Sequence, residues 1–134
     1  MVTKHLLCAA ALLFSITPAL AQGVAEDGKD EFDAKCSKCH SVDAAAGAGT
    51  GPNLHAIIGV PAGTRPGFTF SDALKASGLT WTDANLARFI ENPGTTVPGN
   101  RMAGSYMGTT PEIAADIVAY LKTVGVAGPA TPAQ

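Results

Sequence analysis

The residues best suited to chemistry are crowded into Lys35-Cys36-Ser37-Lys38-Cys39-His40, two thiols three positions apart with an imidazole directly after the second. Several chemistries compete for such a stretch. A structural zinc ion wants four ligands, usually from two such pairs. No second C-x-x-C occurs, and His55 is the one further histidine beyond the N-terminal apolar run. A thioredoxin-like dithiol needs a βαβ setting, which the helical pattern described below does not supply. A plain disulfide across two residues would close so small a loop that it constrains little. Covalent haem attachment remains, for which C-x-x-C-H is the signature. Cysteines at this spacing can each form a thioether to one of two vinyl groups on the same macrocycle edge. His40 then falls under the iron and can coordinate it through Nε2.

One histidine leaves the sixth position of the iron to be filled. Met102, Met107 and His55 are the candidates. Met102 follows Val97-Pro98-Gly99-Asn100-Arg101, where proline and glycine can turn a side chain inward. Thioether sulfur is a soft ligand, and a Met/His pair raises the reduction potential. Against this, methionine more often simply fills core space. His55, in Gly51-Pro52-Asn53-Leu54-His55, reads as a surface residue.

Residues 1–21 carry the marks of a secretory signal peptide. Lys4 supplies a positive charge, Leu6 to Ile16 is almost wholly apolar, and Ala19-Leu20-Ala21 is a small-x-small cleavage site before Gln22. The apolar run falls short of the roughly 20 residues a membrane span needs, and Cys8 would leave with the leader. The expected product is one exported, periplasmic domain of 113 residues (134 − 21). Of 9 Lys+Arg and 11 Asp+Glu only Lys4 falls in the leader, so 8 bases face 11 acids, a net charge of −3. That balance excludes a nucleic-acid partner. Much of the apolar fraction is alanine, and there are 15 glycines and 9 prolines. Small side chains bury little area, so the core should draw extra apolar volume from a cofactor.

The elements that must hold these residues read as all-α, with four helices. The first is expected from Glu26 to Ser37, with an acidic opening that suits a helix N-terminus. The second has Ser71 as N-cap and closes at Gly78. The third starts at Thr82 and is stopped by Pro93. The fourth has Thr110 as N-cap, Pro111 at its first position and Gly125 after its last turn. In it Ile113, Ile117, Tyr120, Leu121 and Val124 form one apolar stripe. Gly28 and Phe32 share a side of the first helix, where a second helix could cross closely. Long Gly/Pro-rich connections, 41–70 and 94–109, should wrap a ligand. Residues 126–134 read as a disordered tail.

These features in this order resemble the class I cytochromes c, the small carriers with one covalent haem. Gly28 and Phe32 precede CSKCH, and then come GPNLHAIIG, PGFTFSDALKASGLTW, FIENP, VPGNRM and DIVAYLK. The resemblance spans about residues 26–124, within a monohaem domain expected over 22–125. It implies a single haem c bonded by Cys36 and Cys39, with His40 and Met102 as axial ligands of the iron. It implies that the Pro52 carbonyl accepts the Nδ1–H of His40, which would increase its donor strength. Gly28 and Phe32 would pack against Ile117 and Tyr120, and the indole N–H of Trp81 would reach a haem propionate.

Several positions depart from the better-known members. Phe70 and Phe89 stand where tyrosine is usual, Leu74 for asparagine, Val60 for arginine and Asn100 for threonine. Four of these five changes replace a polar group by an apolar one. Arg65, Ser71, Trp81 and Asn100 are therefore the expected haem-pocket residues for the propionates, and Tyr106 is expected to cover the haem. The implied task is one-electron transport without catalysis, between redox-protein donors and acceptors, by a monomer that does not span the membrane. Lys35, Lys38 and Arg101 would form a positive rim that steers acidic partners. The alternatives are a haem subunit of a periplasmic dehydrogenase complex, or a haem enzyme or gas sensor if Met102 stays off the iron.

Overall fold

The computed structural model describes residues 23–125. The expected leader, with Cys8, and the expected tail lie outside the described residues. Five α-helices and one short 3-10 turn are present: α1 (Ala25–Lys35), α2 (Asp72–Ala76), α3 (Asp83–Glu91), α4 (Pro93–Thr96), the 3-10 turn (Met102–Gly104) and α5 (Pro111–Thr123). The fold is all-α, as expected, and the described residues form five α-helices where about four were expected.

The extra helix comes from Asn92-Pro93. Asn92 ends α3 with an extended backbone (φ −152°), and its side-chain oxygen then accepts from Thr95 N at 3.0 Å. Pro93 therefore stops one helix and opens the next, since a proline at the first helical position gives up no needed N–H. The first helix stops at Lys35 rather than Ser37. The N–H groups of Cys36 and Ser37 both donate to Phe32 O, at 2.8 and 3.0 Å, which tightens the chain into a turn. Ser71, Thr82 and Thr110 cap α2, α3 and α5 by accepting from Leu74, Asn85 and Ile113 N–H groups.

The frame of the molecule is the crossing of α1 over α5, with α3 leaning on α5 from another side. A Cβ at Gly28 would overlap the carbonyl of Asp116, so the two backbones meet directly there. Beside that contact the Phe32 and Tyr120 rings tilt together at 5.5 Å. At the head of α1 no side chain caps the helix; the Val24 N–H instead donates to Asp116 Oδ1 at 2.7 Å. Ile117 and Leu121 of the expected stripe are, with Pro93, the largest fully buried side chains, while Ile113 and Tyr120 are half-buried. Full burial of one such aliphatic side chain contributes about 1.5–3 kcal/mol.

The long segment before α2 is hung on the chain leading into α3. Gly59 N–H donates to Trp81 O, Trp81 N–H to Val60 O, and Ala62 N–H to Leu79 O, all at 2.8–2.9 Å around a lone antiparallel bridge between Pro61 and Thr80. These bonds place Trp81 and Val60 side by side. Between the loops and the helical frame lies a deep cleft.

Candidate haem cleft

The turn after α1 builds the first wall. Cys39 and His40 N–H groups both donate to Cys36 O at 3.0 Å, which folds the C-x-x-C-H stretch so that Cys36, Cys39 and His40 all line the cleft. Cys36 and Cys39 are free, half-buried thiols. Burial pushes the Cys36 thiol up to about 11, with the Lys35 charge opposing. Among the described residues no cluster of three or more His, Cys, Asp or Glu is placed to hold a metal ion.

His40 is held by the chain facing it. Pro52 O can only accept, so Nδ1 carries the hydrogen and donates to it at 2.8 Å. Nε2 is left with its lone pair. Burial holds the imidazole below its ordinary value, the Pro52 carbonyl acting in the opposite sense. Gly51 makes this placement possible, because a Cβ there would stand 2.7 Å from Nδ1 and 2.9 Å from Nε2.

The opposite wall is the loop that carries Met102. Asn100 is buried, and its Nδ2 donates to Pro93 O at 2.7 Å and Val97 O at 2.6 Å. Its Oδ1 accepts from Ala103 N at 3.0 Å. Both amide hydrogens are thus engaged by the loop's own backbone, so Asn100 lines the cleft as a brace for Met102 and has no N–H left for a propionate. Ser105 and Tyr106 N–H groups donate to Met102 O at 3.0 and 2.9 Å, closing the 3-10 turn. Met102 is half-buried and lines the cleft, whereas Met107 is 88% exposed and lies outside it. His55 is also outside; its ring meets Val42 O at 3.0 Å through Nδ1 and borders a separate, smaller hollow.

The roof is apolar. Trp81 and Phe89 are buried with ring centroids 5.0 Å apart, and Phe70 packs edge-on to Phe68 at 4.9 Å. Val60 and Leu74 complete it, so four of the five departures noted in the sequence make this surface dry. Every expected site residue, Cys36, Cys39, His40, Pro52, Ser71, Trp81, Asn100 and Met102, lines this one cleft of about 620 Å³. Cofactor sites span about 300–1,000 Å³. Ser71 Oγ accepts from Leu74 N at 3.3 Å, which does not use the hydroxyl hydrogen.

Two buried side-chain atoms among the described residues have no hydrogen-bond partner, Arg65 Nε and Tyr106 Oη, and both residues line the same cleft. Burial pushes the Tyr106 phenol up to about 12. No Asp or Glu lines the cleft, while Lys35, Arg65 and Arg101 do. A large apolar planar group bearing carboxylates fits this lining: rings meet the apolar roof, and the anionic edge meets cations and spare donors. Sequence reasoning missed Gly51 as the seat of the His40 ring and the bracing role of Asn100. Only the neighbouring Pro52 and the loop's Pro/Gly pattern hinted at them.

Comparison with known proteins places the chain. Residues 25–125 match the family described as Cytochrome c. Cytochrome c2 of Rhodomicrobium vannielii is 41% identical over 121 residues, covering 90% of this chain and 94% of that protein. Cytochrome c of Euglena viridis is 38% identical over 102 residues, covering 76% and 98%. Among solved structures, cytochrome cH from Methylobacterium extorquens aligns with a TM-score of 0.68 and 41% identity, covering 75% of this chain and 99% of that one. The chain belongs to the cytochrome c family, whose members carry one covalently attached haem c and act in electron transport.

Proposed function

We propose that this protein is an exported, periplasmic one-electron carrier in which Cys36 and Cys39 hold the haem and His40 and Met102 are the axial ligands of its iron. The observation that carries this reading is the convergence of those four side chains on one apolar-roofed cleft, with His40 Nδ1 already bonded to Pro52 O at 2.8 Å. The iron, when bound, takes up and releases one electron.

The chain's own residues do the rest. The Pro52 carbonyl orients the imidazole and strengthens Nε2 as a donor. Asn100 braces the loop so that Met102 faces the cleft, and a sulfur ligand there would exclude small molecules from the iron. Val60, Phe70, Leu74 and Phe89 keep water out, which limits reorganisation when the charge changes. The Trp81 indole N–H and the Ser71 hydroxyl hydrogen serve the haem carboxylates, since both side chains line the cleft and each carries a donor. A carrier rather than an enzyme is the reading that the electron-transport role of the family supports. Its partners are redox proteins met in brief encounters of small area.

Optical spectra of both oxidation states of the holoprotein test the ligand set. The oxidised form should show the red sulfur-to-iron charge-transfer band, and the reduced form should bind carbon monoxide slowly. Met102→Ala should abolish the band and admit carbon monoxide rapidly, while Met107→Ala should leave both unchanged. A band that survives in Met102→Ala refutes the assignment of the sulfur.

A further inference from the structure

Asn53 stands outside the haem cleft and borders the smaller hollow, yet its carboxamide is bound at both ends. Its Nδ2 donates to Asp43 O and to Ala46 O, both at 2.8 Å, and its Oδ1 accepts from the His55 N–H at 2.7 Å. Two carbonyls face one end of the amide and an N–H faces the other, so its orientation is settled and both hydrogens are used. The three bonds splint two stretches of chain together: the turn that follows His40, and the loop that brings Pro52 against His40. Backbone bonds tie the same stretches, Gly51 N–H to Cys39 O at 2.8 Å and Leu54 N–H to Ser41 O at 2.7 Å. The bond from His40 Nδ1 to Pro52 O, at 2.8 Å, lies between those two ties.

The direction of that acceptor depends on Asn53. Pro52 O belongs to the planar peptide unit that Pro52 shares with Asn53. The proline ring already fixes φ, so the freedom left to the carbonyl is rotation about ψ of Pro52. That rotation carries the Cα of Asn53 with it. A side chain anchored at three points on Asn53 therefore resists any turning of the carbonyl away from the imidazole.

We propose that Asn53 is a positioning residue for the iron ligand: by locking the peptide unit that carries Pro52 O, it sets the strength of the His40 hydrogen bond and so the electron donation of Nε2. The inference rests on the haem lying in the cleft with His40 on its iron, as read above. Aim matters because a hydrogen bond weakens steeply as donor and acceptor leave alignment. A well-aimed carbonyl draws on Nδ1–H, makes the ring a stronger donor and favours the oxidised iron. A carbonyl free to turn lets the bond lengthen, and the reduced iron gains. A residue that merely stabilised its loop would alter unfolding and leave the ring and the potential where they were.

Three variants of the holoprotein separate the two roles. Asn53→Ala removes all three bonds. Asn53→Ser keeps a neutral oxygen that can still accept from His55 N–H and loses both donations to the turn. His55→Ala is the control: it removes the bond from Nδ1 to Val42 O, at 3.0 Å, in the same loop, but leaves Asn53 and its backbone partners intact. Two readouts are taken at one pH: the proton resonance of His40 Nδ1–H in the reduced, diamagnetic protein, and the midpoint potential by spectroelectrochemistry. Asn53→Ala should move the resonance upfield, as a lengthened hydrogen bond does, and raise the potential. Asn53→Ser should move both in the same directions by less. His55→Ala should lower the denaturant midpoint while moving neither. If the Asn53 variants lose stability with both readouts at their wild-type values, or if His55→Ala shifts them equally, Asn53 is a loop staple and the proposal is overturned. The haem reading fails differently: the wild-type protein would then show no haem absorption, or no ring-current displacement of the His40 ring protons.

Discussion

The imidazole of His40 lies against the bare Cα of Gly51, and its orientation depends on a side chain that is absent. Gly51→Ala should push the ring off Pro52 O and cost about 1–3 kcal/mol, the usual penalty of overfilling a tight site. Denaturant unfolding of the holoprotein measures it, and an unchanged midpoint would show that the ring has room to shift. Asn100 makes a different kind of demand. Pro93 O and Val97 O also accept backbone N–H groups, from Val97 and Asn100, so neither carbonyl is stranded when the side chain goes. Ala103 N–H has only the Asn100 oxygen. Asn100→Ala should therefore cost about 1–3 kcal/mol, one stranded donor and no more. Since that donor sits next to Met102, the sulfur-to-iron band should vanish at lower denaturant than the haem absorption itself. Coincident loss of the two signals in the variant would place the brace elsewhere.

At the scale of elements, legibility followed how local the signal is. Capping at Ser71, Thr82 and Thr110 needs only three neighbouring residues, and all three caps are present. The α5 stripe is equally local, although burial also takes in Ala114 and Val118, which a single stripe leaves out. Pro93 was read as a stop because proline is a strong breaker, while the cap offered by Asn92 to Thr95 depends on a backbone bend that sequence does not display. The cleft residues were legible where spacing along the chain carries the chemistry, as in Cys36, Cys39 and His40. Gly51 was obscure as a contact because its partner, the His40 ring, comes from a different segment of the chain. The α1–α5 crossing lies between these cases: Gly28 and Phe32 announce a close approach, but only the fold supplies the Asp116 carbonyl opposite. Gly28→Ala forces that carbonyl away, and backbone yields less readily than a side chain. The loss should reach at least the top of the roughly 1–3 kcal/mol overpacking range, against about 1 kcal/mol of gain expected from helix propensity alone. Net stabilisation on thermal unfolding would mean that the helices can separate freely.

Charge is sorted over the whole molecule in a way that its sum conceals. Lys29, Lys75 and Lys122 are paired with Asp33, Asp72 and Asp83 at 2.6–2.8 Å, and Lys35 with Glu31 at 3.4 Å. Among the described residues Lys38, Arg65, Arg88 and Arg101 have no such carboxylate partner. Arg65 and Arg101 line the cleft, and Lys38 belongs to the attachment turn. The acids that make the total negative are concentrated on α1 and around the helix starts, and none lines the cleft. A small reagent approaching the cleft should therefore meet a positive field even though the molecule as a whole is anionic. The Debye length decides which field it feels, falling from about 30 Å at 0.01 M salt to about 10 Å at 0.1 M. Oxidation of the reduced holoprotein by anionic hexacyanoferrate(III) should slow as salt is raised across that range, and oxidation by cationic tris(1,10-phenanthroline)cobalt(III) should speed up. Lys38→Gln with Arg101→Gln should flatten both dependences without moving the sulfur-to-iron band, because neither side chain is placed on the iron. If hexacyanoferrate instead reacts faster as salt rises, the net negative charge governs encounter, and the local excess of cations around the cleft has no part in choosing partners.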